Sequence, residues 1–143
     1  LTNIIALAAF IPVIIGMGGN IGTQSSTIIV RGIATGRIEL GNELKILIKE
    51  IQVGVILGLL YGFLLGLFAR YNFIEADPFL GIVVGLSICC SMIIAAAVGA
   101  FTPLILRKLN IDPAIATGPF VTTSVDILGV LLYFIIAGKF LNM

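Results

Sequence analysis

The sequence predicts an all-α fold, a polytopic bundle of membrane-spanning helices, and three observations carry that prediction. Of its 143 residues, 59% are hydrophobic and only 10% are charged, a balance that suits a bilayer as solvent and not a water-exposed domain of this size. The apolar residues gather into four runs long enough to cross a hydrocarbon core, for which about 20 residues at ~1.5 Å rise each suffice. None of these runs alternates apolar with polar residues, as the strands of a membrane β-barrel would.

The four spans fall at about residues 3–30, 51–69, 79–106 and 114–138, within a single transmembrane domain covering residues 1–143. No basic start precedes the first apolar run, so it does not read as a signal peptide, and the chain is expected to be a fragment of a longer protein. The connections after the first and third spans hold Arg31, Arg37, Lys45, Lys49, Arg107 and Lys108, whereas Arg70 and Lys139 fall on the opposite side. The positive-inside rule then makes those two connections cytoplasmic and puts both chain ends outside. In the segment 31–50, Leu44, Leu47, Ile48 and Ile51 recur at i, i+3, i+4 and i+7, with Glu43, Lys45, Lys49 and Glu50 on other faces. That pattern predicts an amphipathic helix leading into the second span, with Asn42 as its cap residue, resting on the headgroups or docking another domain.

The second span carries Gly54, Gly58, Gly62 and Gly66, and the third carries Gly81 and Gly85 followed by Ser91, Ala95 and Gly99. Small residues every fourth position permit close helix packing. Several function classes are excluded or disfavoured. A net charge of +1 argues against a nucleic-acid partner, and with no histidine there is no imidazole metal ligand and no Ser-His or Cys-His catalysis. Cys89 and Cys90 are adjacent on a helix, about 100° apart around it, and suit neither a disulfide nor a CxxC site.

Polar groups are costly in hydrocarbon unless they meet partners or water, so the polar residues inside spans are the informative ones. In the first span Gly16, Asn20, Gln24, Thr27 and Arg31 follow at steps of three or four and share one face, with Thr23 on its border. This stripe is either glue between helices or the wall of a hydrated path. In the last span Gly118, Thr122, Asp126, Gly129 and Tyr133 are expected on one face, and Asp126 stands about thirteen residues from either end. A carboxylate at that depth must be protonated, hydrated or paired with a mobile cation. Gly118 and Pro119 weaken the helical hydrogen bonds before it and can leave carbonyl oxygens free, while Thr122 and Thr123 add hydroxyls. Such hard oxygen ligands suit Mg²⁺, Ca²⁺ or Mn²⁺. Magnesium keeps its waters and is held by one or two carboxylates through them, which a symmetric dimer with two Asp126 residues on its axis would provide. Asp112 is either a helix cap with Pro113 at the first helical position or an entry site for the ion.

The stretches "PVIIGMGGNIGTQSSTIIVRG" and "DPAIATGPFVTTSVDILGVLLYF", in this order, resemble the transmembrane domain of the MgtE-type magnesium transporters, and the resemblance spans nearly the whole chain. It implies a homodimeric, Mg²⁺-selective channel of the cell membrane, not an enzyme, with the pore at the dimer interface between copies of the first and last spans. The family's central pore carboxylate falls on Asp126, with the backbone carbonyl of Thr122 assisting a hydrated Mg²⁺, and its aspartate at the start of the last helix falls on Asp112. Asn20 lies in the glycine-rich stretch beside the pore; Asn20, Gln24, Thr27, Gly118 and Gly129 are read as pore-lining. Some members carry an amide side chain at the position of Gly118, which glycine cannot supply. Members typically have five transmembrane helices and a cytosolic N-terminal regulatory domain, so one helix and that domain are expected outside this chain. Two other readings compete: an ion-coupled exchanger of Mg²⁺, Mn²⁺ or Co²⁺, and a non-transporting scaffold or intramembrane enzyme. An aspartyl protease would need two carboxylates close together, and the two aspartates of the last span are too far apart within one chain.

Overall fold

Each apolar run becomes one long α-helix, because in hydrocarbon the backbone can satisfy its hydrogen bonds only within the segment. The structure, a computed structural model, describes residues 2–38, 41–73 and 75–141. Within them the order is α1 (Thr2–Ala34), α2 (Glu43–Asn72), α3 (Leu80–Lys108), a 3-10 turn (Pro113–Thr117) and α4 (Pro119–Phe140). All four α-helices are long and apolar enough to cross a membrane.

Helix α3 is the centre of the bundle: α1, α2 and α4 all pack on it, and α1 also packs on α4. Against α2 the contact is a glycine seam. A Cβ at Gly58 would stand 2.8 Å from the carbonyl oxygen of Cys89, one at Gly62 2.6 Å from that of Gly85, and one at Gly66 2.8 Å from that of Gly81. These are backbone atoms that cannot step aside, so only glycine allows the two helices to meet there. Helix α1 approaches α3 the same way, with Gly99 against the backbone of Gly22. On α4 the inward face is Val121, Val125, Gly129, Tyr133 and Ala137, one residue per turn. Tyr133 is fully buried and its hydroxyl donates to the carbonyl of Leu7 at 3.0 Å.

Three details differ from the sequence reading. The amphipathic segment is the first part of α2 itself, continuous with the span; Leu47 and Ile46 pack on a small cluster of Ile29, Ile38, Ala100 and Leu104, while Leu44 and Ile48 stay exposed. Residues 39 and 40 of that connection lie outside the described residues. Asn42 holds the cap position of α2 but makes no side-chain cap bond; instead the Glu43 carboxylate accepts from the amide of Gly41 at 3.0 Å. The last span does not run as one helix from Ala114, because Gly118 adopts an extended conformation (φ −118°, ψ −150°) and α4 begins at Pro119. Proline suits that first helical position, where its missing N–H would have no partner.

Candidate functional site

The polar stripe of the first span lies on an open face of α1. Gly16, Asn20, Gln24, Thr27 and Arg31 are all exposed, while Ile14, Gly18, Ile21, Gly22, Ser25, Ser26 and Ile29 on the other faces are buried. Over residues 14–31 the helix is amphipathic in reverse of what a lipid-facing helix needs: small and apolar groups point into the bundle, while the amides of Asn20 and Gln24, the Thr27 hydroxyl and Arg31 point out of it. In hydrocarbon such a face is expensive unless water or a second protein surface meets it.

Asp126 belongs to the same open region. It is the eighth residue of the 22-residue α4 and is half-buried, with its Oδ1 3.7 Å from where a Cβ on Gly19 would stand. The carboxylate thus lies against α1 at Gly19, at a separation where even a methyl group would make only ordinary contact. Ile15, Asp126, Ile127, Val130 and Leu131 line a shallow surface cavity of about 370 Å³, which places Asp126 at the outside of this chain and not in its core. Because α4 starts at Pro119, Asp126 is nearer the N-terminal end of its helix than a span beginning at Ala114 implied.

Thr122, one turn earlier, is also half-buried, and its hydroxyl donates to the carbonyl of Pro119 at 3.2 Å. Thr27 on α1 likewise donates to its own helix, at the carbonyl of Thr23, 2.8 Å away. Both hydroxyls therefore spend their proton on backbone and leave oxygen lone pairs toward the open face, where they can accept from water. Nothing lies within 4 Å of a Cβ placed on Gly118, which faces open space at the start of α4.

Two expected members of the face are elsewhere. Gly129 is buried with Ser91 and Ile14 as neighbours, and Tyr133 points to Leu7. The five residues at steps of three and four split because α4 is gripped on two sides: residues one turn apart from Val121 face α1 and α3, and only Thr122 and Asp126 turn toward the opening. Asp112 is exposed and caps the 3-10 turn, its Oδ1 accepting from the amide of Ala114 at 2.9 Å, with Pro113 next to it. The cap geometry expected of Asp112 is present, and the extended break at Gly118 separates it from Asp126. Sequence reasoning missed Ser26, whose buried hydroxyl donates to the carbonyl of Ala116 at 2.8 Å and ties the 3-10 turn to α1. Nothing in the spacing of Ser26 distinguishes it from a filler; its partner is 90 residues away.

Among the described residues no three histidine, cysteine, aspartate or glutamate side chains come together. One chain thus offers one deep carboxylate and a row of neutral oxygens, on a face that is open. A family profile for MgtE, described as a divalent cation transporter, matches residues 11–136, which include all of this face. The chain belongs to the MgtE family. The magnesium transporter MgtE of Thermus thermophilus is 39% identical over 137 residues, covering 96% of this chain and 30% of that protein. The magnesium transporter MgtE of Bacillus subtilis is 35% identical over 142 residues, 99% of this chain and 31% of that protein, and that of Enterococcus faecalis 35% over 136 residues, 95% and 30%. The chain spans about 30% of the length of these curated relatives. Its four apolar helices are those of a multi-pass membrane protein of the MgtE family.

Proposed function

We propose that this chain forms the ion-conducting part of a Mg²⁺ transporter, in which two copies face each other across a two-fold axis and close their open polar faces into one pore. The observation that carries the reading is the exposed stripe of Asn20, Gln24 and Thr27 on α1 beside Asp126 on α4, in a molecule that exposes large apolar side chains such as Ile56, Phe63, Leu86 and Phe101 along α2 and α3. A second copy buries that stripe and brings a second carboxylate, giving two negative charges for a divalent ion. Hydrated magnesium fits this donor set, since it keeps its water shell and is held through it by one or two carboxylates. The Asp126 carboxylates accept hydrogen bonds from the ion's waters, the Thr122 carbonyl supplements them, and the amides and hydroxyls of α1 order the shell as it passes. Asp112, with one carboxylate oxygen on its cap and the other open to solvent, is a second acidic station toward the cytoplasm.

The test is Mg²⁺ flux into proteoliposomes. Asp126→Asn keeps shape and removes the charge, so flux is expected to fall about tenfold or more with the protein still folded and assembled. Flux equal to that of the unaltered chain would overturn the assignment.

A further inference from the structure

The seam between α2 and α3 leaves a groove on the surface that none of the pore residues uses. Because glycines bring the two backbones together, the large side chains beside the seam stand up as walls: Phe63 and Leu67 on α2, Ile82 and Leu86 on α3, all exposed. Two adjoining cavities of about 350 and 230 Å³ lie between these walls and share Gly62, Phe63 and Ile82. The first ends at Arg70 and the second at Gly58 and Cys89. From Gly58 to Arg70 the groove runs about 18 Å by helical rise, close to the depth of one leaflet in a hydrocarbon core ~30 Å thick.

The polarity of the groove is graded along that length. Its inner end is glycine backbone and apolar side chain; its outer end, in the last turn of α2, is an exposed guanidinium. An apolar groove open to the bilayer does not stay empty, since its lining would forfeit dispersion contacts, and it has too few polar groups to hold water. One apolar end at leaflet depth and one cationic end at the membrane surface complement an acyl chain joined to a phosphate. Arginine is suited to that phosphate because its planar fork makes paired, charge-assisted hydrogen bonds.

We propose that this groove binds one anionic phospholipid of the leaflet bordering the 73–79 connection, with an acyl chain on the glycine seam and the phosphate on Arg70. The lipid completes the surface of α2, which packs on α3 and makes no comparable contact with α1 or α4 among the described residues.

The chain contains no tryptophan, so Ile82→Trp places a single indole in the groove wall, and Phe68→Trp places one on an exposed face of α2 turned away from Phe63 and Arg70. Each variant is reconstituted into phosphatidylcholine vesicles containing increasing fractions of dibrominated phosphatidylglycerol or dibrominated phosphatidylcholine, and indole quenching is read. The expected result is that brominated phosphatidylglycerol quenches Ile82→Trp at about fivefold lower mole fraction than brominated phosphatidylcholine. That preference is lost when Arg70→Gln is added, and Phe68→Trp shows none. Equal quenching of Ile82→Trp by both lipids overturns the headgroup assignment. No quenching by either means that protein covers the groove and overturns the lipid site altogether.

Discussion

One turn apart on α4, Asp126 and Gly129 meet their neighbours in different ways. The Asp126 carboxylate rests against α1 at Gly19, where a methyl group would still make ordinary contact at 3.7 Å, whereas one turn later the missing side chain of Gly129 is what lets α4 come close to α3. A methyl group on Gly129 would stand 2.9 Å from the Ser91 hydroxyl oxygen but 3.9 Å from the Ser91 Cβ. Ser91 is buried, and its hydroxyl has no hydrogen-bond partner among the described residues. Gly129→Ala is therefore expected to destabilise by about 1–3 kcal/mol through overpacking, read as a lowered unfolding midpoint in detergent. Adding Ser91→Ala removes the colliding oxygen and is expected to return most of the loss. A double variant no more stable than the single one would show that the hydroxyl is not what α4 meets. Asp126, Asp112, Asn20 and Gln24 stand out in the sequence because polar residues are rare in these spans, whereas the importance of Gly129 and Ser91 depends on which helix lies opposite.

At the scale of elements, the glycine pattern on α2 and α3 is readable as a packing stripe, and the two stripes do face each other. The sequence does not say how close that contact is, nor that Gly118 serves a different purpose. A Cβ at Gly62 would sit 2.6 Å from the Gly85 carbonyl oxygen, a backbone atom, whereas one at Gly118 would meet nothing within 4 Å. Gly62→Ala is therefore expected to separate α2 from α3 and lower the unfolding midpoint clearly, at a cost of about 1–3 kcal/mol or more. Gly118→Ala is expected to leave it unchanged, its φ of −118° being open to any residue. Similar midpoints for the two variants would contradict the seam. The start of α4 was the least legible boundary. Gly118 and Pro119 signal a weakened helix there but not a break, and it is the extended backbone at Gly118, with Ser26 holding Ala116, that sets the 3-10 turn apart.

For the whole molecule, the decisive property is that the polar face is on the outside. In the proposed dimer that face becomes a continuous path with its charge at Asp126, and the membrane potential would drive a divalent ion through it. At about 2.3 kcal/mol per charge per 100 mV, Mg²⁺ gains about 4.6 kcal/mol per 100 mV. Mg²⁺ entry is thus expected in vesicles clamped at a negative interior potential with no Na⁺ or pH gradient, rising as the potential is made more negative. Flux that requires either gradient would favour the coupled exchanger.

The sequence by itself determined that the chain is helical, that it crosses a membrane, and which few polar residues merit attention, because in hydrocarbon the backbone has one economical solution and every polar group is conspicuous. It also carried the resemblance to the MgtE family. Only the tertiary structure decided that Thr122 and Asp126 turn outward while Gly129 and Tyr133 turn in, that Asp112 is set apart by a break, and that α2 and α3 enclose a groove ending at Arg70. Those outcomes depend on which backbones come within contact of each other, and contact between residues distant in sequence is not encoded in the periodicity of any one helix.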